Sequence, residues 1–141
     1  MQFSSRRSLL AVLGSLLTLG SPRARAAASG EHQEFINAAF NMKAVAVAAG
    51  DQAYGAVVVK DRKIVGHGPS RVVQKKDWTA HAEREAIRDA QARLGTKDLS
   101  GCILYSSSHP CTNCEAAAYD AKIARMIYGE TATEAGPPKR R

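Results

Sequence analysis

Cysteine is scarce in this 141-residue chain, with three in all, at positions 102, 111 and 114. An odd and small number leaves at least one thiol unpaired, which excludes a fold stapled together by disulfides. Long apolar runs are missing as well. The longest, from Leu9 to Gly20, is about a dozen residues and falls short of the roughly twenty that a membrane-spanning helix needs. No internal repeat and no low-complexity stretch occurs, so repeat architectures are excluded. Acidic residues are absent from the first 26 positions, which hold four arginines. The formal net charge of +7 therefore falls to +3 for residues 27–141, with 16 basic against 13 acidic groups. Three of those basic groups are Lys139, Arg140 and Arg141 at the extreme C-terminus. That balance leaves no basic patch on the folded part, and a nucleic-acid partner is not expected.

What the first 26 residues do contain is the pattern of an export signal. Arg6-Arg7 precedes the apolar run, and Ala24-Arg25-Ala26 offers a small-x-small cleavage site before Ala27. Paired arginines followed by leucines resemble the twin-arginine signal of bacteria, a route that carries folded proteins and so lets a metal be loaded before export. The expectation is a signal peptide at 1–26 and one domain at 27–141, located in the periplasm or otherwise outside the cytoplasm, with no membrane contact after cleavage.

The chemistry-bearing residues lie in two segments. His81-Ala82-Glu83 is followed by Pro110-Cys111-Thr112-Asn113-Cys114. Zinc favours nitrogen and sulfur ligands, and a catalytic site supplies three and leaves the fourth position to water. His81, Cys111 and Cys114 fill those three places. Glu83, two residues from the imidazole, is then the general acid and base beside that water, which the metal brings to a pKa near 7. This is the H-x-E…P-C-x-x-C pattern of zinc deaminases. A structural zinc site would instead need a fourth protein ligand, for which His109 is the nearby candidate. Cys102 sits in Cys102-Ile103-Leu104-Tyr105, where a buried free thiol acts as a small hydrophobe.

Periodicity predicts a helix from Glu31 to Ala49, with apolar residues at 35, 36, 39, 40, 44 and 47, stopped by Gly50-Asp51. Residues 53–60 and 63–67 read as a hairpin around Asp61-Arg62, and 68–79 as a polar loop. A helix from about His81 to Leu94 follows, with Thr79 as its N-cap and Gly95 at its end. A strand at 102–106, a second metal helix at about 111–121 and a strand at 125–128 complete the order α-β-β-α-β-α-β. Parallel neighbours joined by crossovers, with helices on both sheet faces, bring both metal segments to one edge. Residues 129–141 carry no strong pattern, and their end reads as loose. Glu83 and Glu85, two apart on a helix, do not form a carboxylate pair. His32 and His67 read as surface residues.

On these segments the chain resembles the cytidine deaminase-like superfamily, in the branch holding bacterial guanine deaminase, cytosine deaminase and the tRNA adenosine deaminases. The likeness runs from about Glu31 to Gly136 and rests on Tyr54-Gly55-Ala56-Val57, Thr79-Ala80-His81-Ala82-Glu83 and Leu104 to Cys114. Leu94-Gly95, Cys102 to Tyr105 and Thr133 to Gly136 point within it to guanine deaminases. The resemblance implies a three-layer α/β/α sandwich with a mixed sheet, a Zn2+ cofactor, a homodimer and a small nucleobase or nucleoside substrate, guanine-type purines first. A catalytically impaired zinc-binding scaffold is the alternative. The substrate residues it implies are Tyr54 and Ser70, with Trp78 and His109 as further candidates at the pocket mouth. Ser70 stands where the family has a base-binding Asn, and His109 where it has an acidic residue. The chain ends just past Glu134-Ala135-Gly136, where guanine deaminases continue into a further segment, so a C-terminally short domain is expected.

Overall fold

A computed structural model describes the backbone of residues 22–141 and the side chains of residues 30–141. The arginine pair and apolar run of the expected export signal lie outside the described residues. Helix α1 (Pro22–Ala48) leads into the hairpin β1 (Gly55–Lys60) and β2 (Lys63–Pro69). A single-turn helix α2 (Val72–Lys75) follows, then α3 (Ala82–Leu94), β3 (Ile103–Ser106), α4 (Thr112–Asp120), β4 (Arg125–Tyr128) and β5 (Thr133–Gly136). The hairpin turns on Asp61 and Arg62, both at positive φ (49° and 62°), as a two-residue turn matched to strand twist requires.

The sheet order is β2-β1-β3-β4-β5, with β3 and β4 parallel and every other pair antiparallel. The mixed sheet is as expected, with one correction to its pairing. β2 and β3 run in the same direction, but they are not neighbours, because β1 lies between them. A second difference is β5, which closes the sheet beyond β4 from a stretch without apolar alternation. Its place is held by backbone pairing and by ion pairing of Arg125 with Glu134 across the two strands.

Strand alternation sorts the core into two layers. Val57, Val59, Tyr105 and Ile127 pack against Phe35, Ile36 and Ala39 of α1. Ala56, Val58, Leu104 and Met126 pack on the other face against Ala82, Ala86, Ile87 and Ala90 of α3 and Ala118 of α4. The three-layer arrangement follows. In α1 the expected apolar positions 44 and 47 are exposed, because the buried stripe runs through 35, 36, 39 and 46 and these two lie off it. The C-terminal end is fastened, contrary to the loose end read from sequence. Pro138 is buried, the Lys139 N–H donates to Glu115 Oε1 (3.0 Å), and Arg140 bonds Asp120 through two nitrogens.

Two glycines of β2 set how close α3 lies. A Cβ on Gly68 would stand 2.0 Å from Ala82 O, and one on Gly66 would stand 2.3 Å from Ala86 O. Main chain therefore rests on main chain at the start of α3, the turn that carries the first motif. Among the described residues no helix is long and apolar enough to cross a membrane.

Candidate functional site

Strands β2 and β3 end at the same sheet edge, and α3 and α4 begin just beyond them. β1 runs the opposite way, so its entry residues reach that edge too. His81 is the N-cap of α3 and Cys111 the N-cap of α4, both with extended backbone (φ −62°, ψ 152° and φ −69°, ψ 165°). Thr79 is not the cap. It closes a local turn on Asp77, whose Oδ1 accepts both its N–H (2.8 Å) and its hydroxyl (2.7 Å). Cys111 Sγ accepts the Cys114 N–H at 3.4 Å, a first-turn amide that would otherwise lack a partner. Both helix N-termini thus point at one spot, where their partial positive charge favours thiolates.

His81 Nδ1 lies 3.7 Å from Cys111 Sγ and 3.5 Å from Cys114 Sγ, and the three ligand atoms are all within 4.8 Å of one another. Tetrahedral zinc at about 2.0 Å from nitrogen and 2.3 Å from sulfur sets N···S pairs about 3.5–3.6 Å apart. The residues present fit zinc, with His81 coordinating through Nδ1. Burial, and next the negative charge of Glu83, push the Cys114 thiol well above the ordinary range, so binding a cation there must expel a proton. Burial likewise raises Cys102, a fully buried thiol that belongs to the core.

His109 is not part of the ligand cluster. Its Nδ1–H donates to Pro110 O at 2.8 Å, and its ring meets Tyr128 edge-on at 4.7 Å between centroids. Three protein ligands therefore stand alone among the described residues, as in catalytic zinc sites and unlike the closed four-ligand structural ones.

Glu83 is buried although it is ionisable, at 5% exposure. Its place on α3 explains this, since Ala82, Ala86, Ile87 and Ala90 share its sheet-facing side. Ser106 Oγ donates to Glu83 Oε1 at 2.9 Å, and this bond is also buried. Glu85 turns elsewhere, to Lys75 Nζ and Arg88 (both 2.7 Å), and takes no part in the site.

A cavity of about 560 Å³ opens over the cluster. His81, Cys111 and Glu83 line it, and Gln52, Tyr54, Trp78, Ser108 and His109 complete its wall. Tyr54, Trp78 and His109 are thus brought to the cavity. Trp78 is 82% exposed and stands at the mouth. Ser70 is not brought there. It is buried, and its hydroxyl donates to Asp51 Oδ1 at 3.0 Å. Gln52 and Ser108 went unread in the sequence. Ser108 could have been found from its place beside His109, whereas Gln52 lies in the α1–β1 connection and carries no pattern.

Comparison with known proteins agrees with this geometry. The model of the cytidine and deoxycytidylate deaminase zinc-binding region matches residues 29–130. The guanine deaminase of Bacillus subtilis is 40% identical over 105 residues, 74% of this chain and 67% of that protein. The X-ray structure of that enzyme superposes with a TM-score of 0.67, covering 70% of this chain and 63% of that one. A tRNA-specific adenosine deaminase of Aquifex aeolicus is 37% identical over 94 residues, 67% of this chain and 62% of its own length. The chain thus spans about two thirds of the length of these relatives.

Proposed function

The chain belongs to the cytidine and deoxycytidylate deaminase zinc-binding family, and from that premise we propose that it is a hydrolytic deaminase of a nucleobase or nucleoside, with a guanine-type purine favoured. One observation carries the reading: the Glu83 carboxylate lines the same cavity as His81 and Cys111, two members of the three-ligand cluster, with Cys114 buried behind them. His81 Nδ1, Cys111 Sγ and Cys114 Sγ would hold zinc, which when bound would supply Lewis-acid activation of water at neutral pH.

The residues of this chain do the rest. Glu83 takes one proton from the attacking water and passes it to the ring nitrogen, then takes the second from the new hydroxyl and passes it to the amino group, which leaves as ammonia as the C–N bond breaks and the C=O forms. Ser106 occupies Oε1, so Oε2 is the oxygen that moves the proton. Tyr54 and Trp78 offer aromatic surface to a planar base. Gln52, with both a donor and an acceptor, and the Ser108 hydroxyl offer hydrogen bonds to its edge. His109 Nδ1 is committed to Pro110 O, which leaves Nε2 for the cavity. The guanine preference is supported by the Bacillus relative and by the guanine-deaminase-like stretches of sequence. The functional unit is proposed to be a homodimer.

Ammonia release from the zinc-loaded protein, tested on guanine, guanosine, cytosine, cytidine, adenine and adenosine, tests this reading. Turnover of guanine is expected. Activity confined to cytosine or cytidine overturns the substrate, and activity on none of the six leaves the zinc-binding scaffold in its place.

A further inference from the structure

Ser106, Ser107 and Ser108 are three successive hydroxyls with three different partners. Ser107 Oγ accepts the Gly55 N–H at 3.1 Å and joins β1 to the end of β3. Ser108 lines the cavity. Ser106 lines no cavity wall and is 1% exposed, yet its hydroxyl reaches the one carboxylate that the proposed reaction depends on.

We propose that Ser106 is a positioning residue for the reaction, holding Glu83 in one rotamer with Oε2 presented to the reacting atoms; this rests on the deaminase reading above. The argument is geometric. Ser106 ends β3, paired with Ala56 of β1 on one side and Tyr128 of β4 on the other. Its carbonyl accepts the Gly129 N–H at 3.0 Å, so the backbone that carries the hydroxyl is held from both flanks. A glutamate has three rotatable side-chain bonds; the helical backbone restricts only the first, leaving the outer two to be set by neighbours. The Ser106 hydroxyl is the side-chain donor within 3 Å of this buried carboxylate. It is a single donor, so it engages one oxygen, Oε1. The strand thus sets the carboxylate before substrate arrives, from a hydroxyl that is itself 1% exposed. Groups held in advance in the productive geometry are what speed a step of this kind, and a displacement of about 1 Å costs on the order of 100-fold.

The experiment uses the zinc-loaded full chain and whichever of the six bases and nucleosides it turns over fastest. Ser106→Ala is expected to lower kcat about 10- to 100-fold with KM unchanged within about twofold. Ser106→Thr keeps the hydroxyl and is expected to restore most of the loss. Ser106→Cys, close in shape but a weak donor, is expected to show the loss of kcat again, and serves if the alanine variant does not fold. Each variant is expected to hold one zinc per chain with the same resistance to a chelator, because the hydroxyl touches no metal ligand. Wild-type kcat in both Ser106→Ala and Ser106→Cys, or loss of zinc in parallel with kcat, overturns the proposal. Glu83→Gln separates the two levels. If it stays active, the deaminase mechanism itself fails; if it is inactive while Ser106→Ala is not, only the positioning role fails. A wild-type protein inactive on all six compounds ends both.

Discussion

Asp51 accepts the Ser70 hydroxyl at 3.0 Å through Oδ1, while its Oδ2 takes the N–H groups of Val73 (3.0 Å) and Gln74 (2.9 Å). One carboxylate thus ties the end of β2 to the first turn of α2, and α2 leads directly to Trp78 at the cavity mouth. Burial acts to raise the Asp51 pKa, but hydrogen bonds from Gln74, Gln52, Val73 and Ser70 outweigh it and hold the carboxyl below its ordinary 3.8. A depressed pKa means that the stabilisation is fully present above about pH 4 and is lost as pH falls through the folded value. The wild type is therefore expected to exceed Asp51→Asn in Tm at pH 6, with the gap closing below pH 4. Trp78 is the chain's single tryptophan, so its emission reports the mouth directly. An equal gap at pH 3 and pH 6 would rule out this account.

Removing zinc is expected to do more than stop turnover. Cys114 is fully buried with its thiol pushed upward, first by burial and then by Glu83, so binding a cation must displace a proton. Zinc affinity should rise with pH, and calorimetry in two buffers of different ionisation heat should show protons released. Cys114→Ala should bind zinc far more weakly while retaining most of its secondary structure by circular dichroism. Stoichiometric zinc in that variant would mean that the ligand set is wrong.

Gly68 is expected to be intolerant of a single methyl. The Cβ of Gly68→Ala would stand 2.0 Å from Ala82 O, a main-chain atom with nowhere to go. Overpacking of this kind costs about 1–3 kcal/mol. Zinc affinity should fall along with Tm, because the displaced turn carries His81. Gly95→Ala makes a useful contrast: it meets nothing within 4 Å, but it sits at φ +66° and should cost about 1 kcal/mol with zinc affinity unchanged.

Much of this was legible in the sequence. The H-x-E and C-x-x-C spacings name their own chemistry, and helical and strand periods placed both segments at one sheet edge. Where the sequence fell short, long-range pairing was responsible. Nothing local says that Ser70 will spend its hydroxyl on Asp51, nineteen residues away. Ser106 reads as a polar residue at a strand end until α3 is laid across it. β5 lacks alternation because its partners are backbone groups of β4 and one arginine. The β1 strand inserted between β2 and β3 likewise follows from the hairpin folding inward, a choice that β-α-β order alone leaves open.

Export by the twin-arginine route is proposed from Arg6 and Arg7 and the apolar run that follows them. Changing both arginines to lysine should trap the precursor inside the cell, while a Sec inhibitor should not. Normal processing of the Lys-Lys variant would remove the assignment and leave the site chemistry untouched. Loading zinc first would suit closely spaced thiols bound for an oxidising compartment.

His81 and Cys111 both hold the N-cap position of their helices, the place where a helix ordinarily frays. A cation gripped by both caps would knot two loose ends that belong to different segments of the chain. The opening motions of α3 and α4 then cease to be independent, because neither first turn can unwind without releasing the ion shared with the other. In amide exchange, the leading turns of the two helices should slow together when zinc is added and by similar factors, as one cooperative unit. The ion would thereby act as a local clasp on the two helix starts, and the rigidity of the cavity floor would be set by metal occupancy.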